Sequence, residues 1–145
     1  MPALIDFDTA MAMLSEHDHS PLAVEQVPLA AAGGRILAEH ISSDRDLPPF
    51  NRSAMDGYAF RHGESTEAMV VSNEVRAGDD PRVIVAAGAC VLISTGAAVP
   101  TDCDTVVPVE HTNRAGRGES MQITAAVPGR GANIHPQAAD AAMDD

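Results

Sequence analysis

The stretch LPPFNRSAMDGYAF, Leu47 to Phe60, decides how the chain is read. It holds three of the four aromatic residues, Phe50, Tyr58 and Phe60, beside an acid, Asp56, that Gly57 follows directly. Pro48 and Pro49 fix φ at about −65° and supply no backbone N–H, so the segment enters as an extended run and not as a helix. Ser53 to Asp56 reads as a turn. From there Tyr58 and Phe60 recur at the period of two that puts alternate side chains on one face of a strand, and a regular strand sets Asp56 on that face as well. A carboxylate held against two rings is either a site or a paired structural acid, and Gly57 can also introduce a bulge that turns it elsewhere. The residues alone leave these readings open.

Composition narrows the classes. At 145 residues the chain can bury one core or two small lobes. Its nine basic residues are all arginine, against 21 acids and a net charge of −12. Such a surface repels a phosphate backbone, so nucleic acid is excluded as an expected partner. An anionic ligand has to be met by local donors or by a metal. Cys90 and Cys103 are too few for a disulfide framework and their spacing fits no zinc pattern; buried thiols in a reducing compartment are expected. The first residues carry acids where a secretory signal is basic, and no apolar run approaches the ~18 residues of a membrane span. A cytoplasmic protein with no membrane partner is the expectation.

Along the chain, Phe7, Met11 and Leu14 fall at helical spacing, which predicts a short amphipathic helix over Ile5 to His17 with Asp6 or Asp8 as its N-cap. The cluster His17, Asp18, His19, Ser20 reads as a solvated helix end before Pro21, because no second cluster completes a metal sphere. Val24 to Leu29 alternates as an edge strand. Met69 to Val75, Val83 to Val85 and Cys90 to Ile93 are β-like, with a turn at Gly78 to Pro81, and these short strands broken by Gly and Pro argue for a β-rich lobe. Ser94 to Pro100 closes the run either as an ordinary turn or as a set of donors for an anion. Asn113 to Ser120 is a glycine and arginine hairpin loop, followed by a short strand at Met121 to Thr124. The six histidines are scattered, and no Ser, His and Asp set surrounds a nucleophile elbow, which argues against a stand-alone hydrolase.

The opening stretch, with SAMDGYA unbroken, resembles the signature of the molybdopterin molybdenumtransferase family, the MoeA and gephyrin E-domain proteins. The Gly-Arg-Ile-Leu-Ala run from Gly34, ISTGAAVP from Ile93, and Asp102 to Glu110 are similar to further family segments. By that likeness Ala38 to Ile41 is a strand leading to the signature, and Val106 to Glu110 a strand carrying a glutamate. Two places depart from it. Asn51 and Arg52 stand where the family often has Asp and Asn, and His135-Pro136-Gln137-Ala138-Ala139-Asp140 stands where it usually has a basic residue followed by Gly-Glu-Asp, keeping only the final acid.

The resemblance implies an α+β, mostly β chain of two lobes with coiled, bifurcated sheets and a short N-terminal helix. It places 1–45 with 127–145 in one lobe and 46–126 in the other, and it leaves out the family's central molybdopterin-binding and C-terminal domains. It further implies insertion of molybdate into adenylated molybdopterin. Asp56 is then the catalytic acid and Thr95 the hydroxyl donor, with Ser53, Tyr58 and Gly96 shaping the substrate site. Mg2+ and molybdate belong to the full-length family enzyme, and neither a metal ligand nor a bound cofactor is expected in this segment. A homodimer is implied, and with it an alternative reading as a non-catalytic dimerisation or scaffold module.

Overall fold

A computed structural model describes residues 4–17, 23–64, 68–80 and 82–145. The described residues fall into two compact units, one ending at His40 and one running from Ile41 to Asp145.

In the first unit the expected helix forms as α1, Phe7–Glu16. Asp6 is its N-cap: one carboxylate oxygen accepts the Thr9 N–H at 2.9 Å and the other accepts the Thr9 hydroxyl at 2.8 Å. Those bonds, the backbone one first, hold the Asp6 carboxyl below its ordinary value. The expected strands at Val24 to Leu29 and Ala38 to Ile41 do not form; Leu29–Ala31 is instead a single 3-10 turn. Alternation alone does not make a strand where no neighbour supplies a ladder, and Pro28 has no N–H to donate to one. No described residue of this unit is buried, and Leu29 is 91% exposed. The remainder of the His17 to Pro21 cluster lies outside the described residues.

The second unit is built on a five-stranded sheet. Its strands are β2 (Gly57–Phe60), β3 (Met69–Val75), β4 (Ala89–Ile93), β5 (Thr105–Pro108) and β6 (Ser120–Met121), in the order β5-β2-β4-β3-β6. Only β3 and β4 run parallel. A second, two-stranded sheet pairs β1 (Arg52–Ser53) with β7 (Ile134–His135).

Every residue of β2 is buried because the sheet is covered on both faces. Ala59, Val91, Ile93 and Val106 face one cluster, with Val75, Val85, Ala97 and Val99. Tyr58, Phe60, Cys90 and Val107 face the other, with Met69, Val71, Ala115 and Met121. Full burial of Phe60, Met69 and Ile93 contributes about 1.5–3 kcal/mol each. Both thiols are free and buried, as expected, and burial pushes each up to about 12.

Gly57 marks a close approach and not a bulge. The β2 ladders run through it in register, and a Cβ there would lie 2.0 Å from the Val107 carbonyl oxygen of β5.

Two further strand expectations are corrected. Val83 to Val85 forms no strand; Val85 is buried in the core while Ile84 points to solvent at 87% exposure. Glu110 lies past the end of β5, in the 3-10 turn Val109–His111, since Pro108 ends the ladder. After β6, residues 127–145 close the unit. The Val106 N–H bonds to the Ala132 carbonyl and the Asn133 amide to the Val106 carbonyl, which covers the outer edge of β5. The last residues then run back along 43–48, through Leu47 to Ala141 and Ser43 to Asp144 and Asp145.

Candidate functional site

Asp56 and Thr95, separated by 39 residues, meet. The Thr95 N–H donates to Asp56 Oδ1 at 2.7 Å, and the Thr95 hydroxyl donates to the same oxygen at 2.9 Å. Both residues are exposed. The other oxygen, Oδ2, makes no hydrogen bond among the described residues. The Thr95 N–H, and after it the hydroxyl, holds the Asp56 carboxyl below its ordinary value of 3.8, so it is a fixed anion at neutral pH.

The backbone around the pair explains why they meet. Asp56 sits in the turn between β1 and β2, off the face that Tyr58 and Phe60 occupy, because the chain bends before the ladder begins at Gly57. Its carbonyl accepts the Val109 N–H at 3.0 Å. Thr95 heads the turn after β4, and β1 clamps that turn. Gly96 N–H bonds to the Ser53 carbonyl at 2.8 Å, Ser53 N–H to Ala97 at 2.9 Å, and Val99 N–H to Asn51 at 2.9 Å. On its other side β1 is held by β7, and Ala54 N–H reaches the Asn133 carbonyl at 2.9 Å.

The turn after β4 is therefore an ordinary turn and not an anion nest. Ser94 N–H bonds to Val75, Thr95 N–H to Asp56, Gly96 N–H to Ser53 and Ala97 N–H to Ser94, so each of these four amides already has an acceptor. Gly96 serves by its backbone, at φ 80°, where a side chain is strained. The Thr95 hydroxyl is likewise no donor to an outside anion in this state, because its single hydrogen lies on Asp56. What the pair does offer is one free carboxylate oxygen and the hydroxyl lone pairs, hard oxygens that suit a cation.

Ser53 and Tyr58 do not present side chains to a ligand. The Ser53 hydroxyl is buried and donates to the Met55 carbonyl at 2.7 Å, shaping the turn that carries Asp56. Tyr58 is 1% exposed; its hydroxyl donates to the Ala115 carbonyl at 2.8 Å and accepts the Ala115 N–H at 2.9 Å. A period-two pattern places the ring on a face but does not say that the far tip closes on backbone 57 residues away.

The departures at Asn51 and Arg52 have partners. Asn51 Oδ1 accepts the Gln137 N–H at 2.8 Å, and Arg52 lies 3.8 Å from Asp140, which also contacts His135 Nε2 at 3.0 Å. Ala138 holds φ 60°, the left-handed region that favours glycine. Sequence reasoning also missed Asp104, which binds the His62 N–H at 2.8 Å and Arg130 at 2.7 Å and so ties the start of β5 to two loops. No periodicity marks it.

Among the described residues no group of three or more His, Cys, Asp or Glu gathers to hold a metal. A cation at Asp56 would take one carboxylate from this chain and its other ligands from elsewhere, which is the pattern magnesium adopts with substrate phosphates and water. No helix among the described residues is long and apolar enough to cross a membrane.

Residues 5–145 match the family model described as the MoeA N-terminal region, domains I and II. A molybdopterin molybdenumtransferase of Synechococcus elongatus is 36% identical over 68% of this chain and 26% of its own length. One from a Nostoc species is 36% identical over 79% of this chain and 28% of its own length. A crystal structure of a molybdopterin biosynthesis MoeA protein from Pyrococcus horikoshii superposes with a TM-score of 0.69 at 30% identity, over 98% of this chain and 37% of that one. The mostly β fold with a short helix is the fold of those structures. The chain thus spans 26% and 28% of the two curated relatives.

Proposed function

The chain belongs to the MoeA N-terminal region family, and from that premise we propose that it supplies one wall of a composite site that inserts molybdate into adenylated molybdopterin. The observation that carries the reading is the contact between Asp56 and Thr95, formed across 39 residues with Oδ2 left open. Both substrates are anions, and this chain is itself strongly acidic, so the acid is suited to hold a cation between them rather than to touch them. Asp56, through Oδ2, and the Thr95 oxygen beside it would hold Mg2+, which when bound would supply charge neutralisation for a phosphoanhydride. Thr95 holds the carboxylate ionised and in one orientation before substrate arrives, which lowers the reorganisation needed at the moment of reaction. The remaining ligands and the molybdopterin pocket come from the central domain of the longer relatives, in a cytoplasmic homodimer.

The test places this chain in front of the central and C-terminal domains of the Nostoc relative and measures molybdenum-cofactor formation. Asp56→Asn is expected to abolish formation while the chimera stays folded and dimeric. Full activity of that variant sinks the reading, as does cofactor formation by the isolated 145 residues.

A second reading, a dimerisation module without catalysis, is favoured by one observation. In the first unit Phe7, Leu14, Leu29 and Ile36 are all exposed, and no described residue of that unit is buried. It is distinguished by the same chimera: loss of dimerisation on Phe7→Ser with Leu14→Ser, beside an inert Asp56→Asn, supports it.

A further inference from the structure

All nine arginines lie within the described residues, and seven of them are paired with a carboxylate. Arg35 meets Glu25, Arg45 meets Asp44, Arg52 meets Asp140, Arg61 meets Glu64, Arg76 meets Glu74, Arg82 meets Asp80 and Arg130 meets Asp104. The side chains of Arg114 and Arg117 make no ion pair among the described residues. In a chain of net charge −12, the two guanidinium groups without an ion pair among the described residues thus fall on one loop, Asn113 to Glu119, directly before β6.

That loop is fixed in place. Tyr58 grips Ala115 by both its backbone groups. Asn113 bonds the Ser120 carbonyl at 3.1 Å and the Gln122 N–H at 2.9 Å. Gly118 N–H reaches the Val71 carbonyl at 2.8 Å, and Val71 N–H returns to the Glu119 carbonyl at 2.9 Å. Glu119, the loop's only acid, has Oε2 on the Gly116 N–H at 2.7 Å and pairs with neither arginine. Arg114 itself holds φ 55°, a conformation that costs a non-glycine residue about 1–2 kcal/mol and that the surrounding bonds enforce. A loop already ordered before binding loses little further freedom when it takes a ligand.

We propose that the 113–119 loop is an oxyanion-docking element, with Arg114 and Arg117 taking a phosphate group, free or esterified. The guanidinium fork matches the oxygens of a phosphate in pairs. A protein partner fits less well, because protein interfaces need an aromatic or aliphatic anchor, and the loop's one apolar residue, Ala115, is buried against Tyr58. This assignment does not depend on what Asp56 does.

The test is an amide chemical-shift titration of the 145-residue chain at constant ionic strength, with inorganic phosphate in one arm and adenosine monophosphate in the other. Saturable shifts centred on Arg114, Gly116, Arg117 and Gly118 are expected in at least one arm, and the arm that saturates first tells free phosphate from an ester. Arg114→Gln with Arg117→Gln is expected to weaken binding at least tenfold, whereas Arg82→Gln leaves it unchanged. Arg117→Gln alone, whose backbone is unstrained, gives the same direction if the double variant misfolds. The proposal is overturned by an absence of saturation in both arms, or by equal shifts at Arg45 and Arg82. It is equally overturned if an oligo-aspartate peptide moves these amides where phosphate does not.

Discussion

Replacing Tyr58 by phenylalanine removes one oxygen and strands two backbone groups. In the parent chain the Tyr58 hydroxyl is donor to the Ala115 carbonyl and acceptor from the Ala115 N–H, and Ala115 is only 5% exposed. The ring is 1% exposed, so its burial is unchanged by the substitution and only the polar terms count. Leaving a buried donor or acceptor without a partner costs about 1–3 kcal/mol for each group. Part of the loss is recovered if the loop moves enough to admit water, so a net destabilisation of roughly 2–4 kcal/mol is expected, a large share of a ~5–15 kcal/mol stability. Urea unfolding followed by far-ultraviolet circular dichroism reads it, since the chain has one tyrosine and no tryptophan to report by fluorescence. The lowered midpoint should come with an unchanged slope. A variant within about 0.5 kcal/mol of the parent would refute the view of Tyr58 as a core clamp, all the more if cofactor formation in the chimera fell while stability held.

Gly57→Ala should be as severe for a steric reason: its Cβ would sit 2.0 Å from the Val107 oxygen, so β2 and β5 must part, at roughly 2–4 kcal/mol by the same urea assay. Ala138→Gly should go the other way. It relieves roughly 1–2 kcal/mol of left-handed strain against about 0.5–1 kcal/mol of added unfolded-chain entropy, for a net gain of about 0.5–1 kcal/mol in a thermal melt. In acid, Asp56 and Asp104 have folded values below their unfolded ones, Asp56 through Thr95 and Asp104 first through the His62 N–H. Their contribution is complete above the ordinary value of 3.8 and is lost as pH falls through the depressed folded values, so urea midpoints should fall below that pH and fall less in Asp104→Asn.

The parts of the fold legible in the sequence are those where a local pattern and a neighbour agree. The apolar runs of β3 and β4 become strands because each lies beside the other and inside two clusters. Val24 to Leu29 and Val83 to Val85 carry similar patterns and remain irregular, since among the described residues no strand lies alongside to receive their hydrogen bonds. The helix spacing narrows the N-cap to Asp6 or Asp8, and the Thr9 bonds make it Asp6, because a cap is set by its next three residues.

The site was legible only in part and for a different reason. The meeting of Asp56 with Thr95 follows from resemblance, for nothing in either segment's composition points to the other. The same likeness gave Tyr58 and Ser53 to the ligand, while the structure closes both hydroxyls on backbone. It also made Thr95 a donor to substrate, where the hydrogen in fact lies on Asp56. Where a polar tip points is fixed by the nearest unmatched partner, and that partner is often remote in sequence.

The claim that most of this rests on is that Asp56 and Thr95 act as one unit on one reaction. A double-mutant cycle in the chimera, with Asp56→Asn, Thr95→Val and the pair together, measures it directly through kcat/KM for molybdenum-cofactor formation. The expected result is that the double variant is no worse than the poorer single one, because Thr95→Val removes the hydroxyl bond that orients the carboxylate and Asp56→Asn removes the charge so oriented, while the Thr95 N–H bond persists in both. Losses that multiply, or a Thr95→Val enzyme with parental activity, would contradict it.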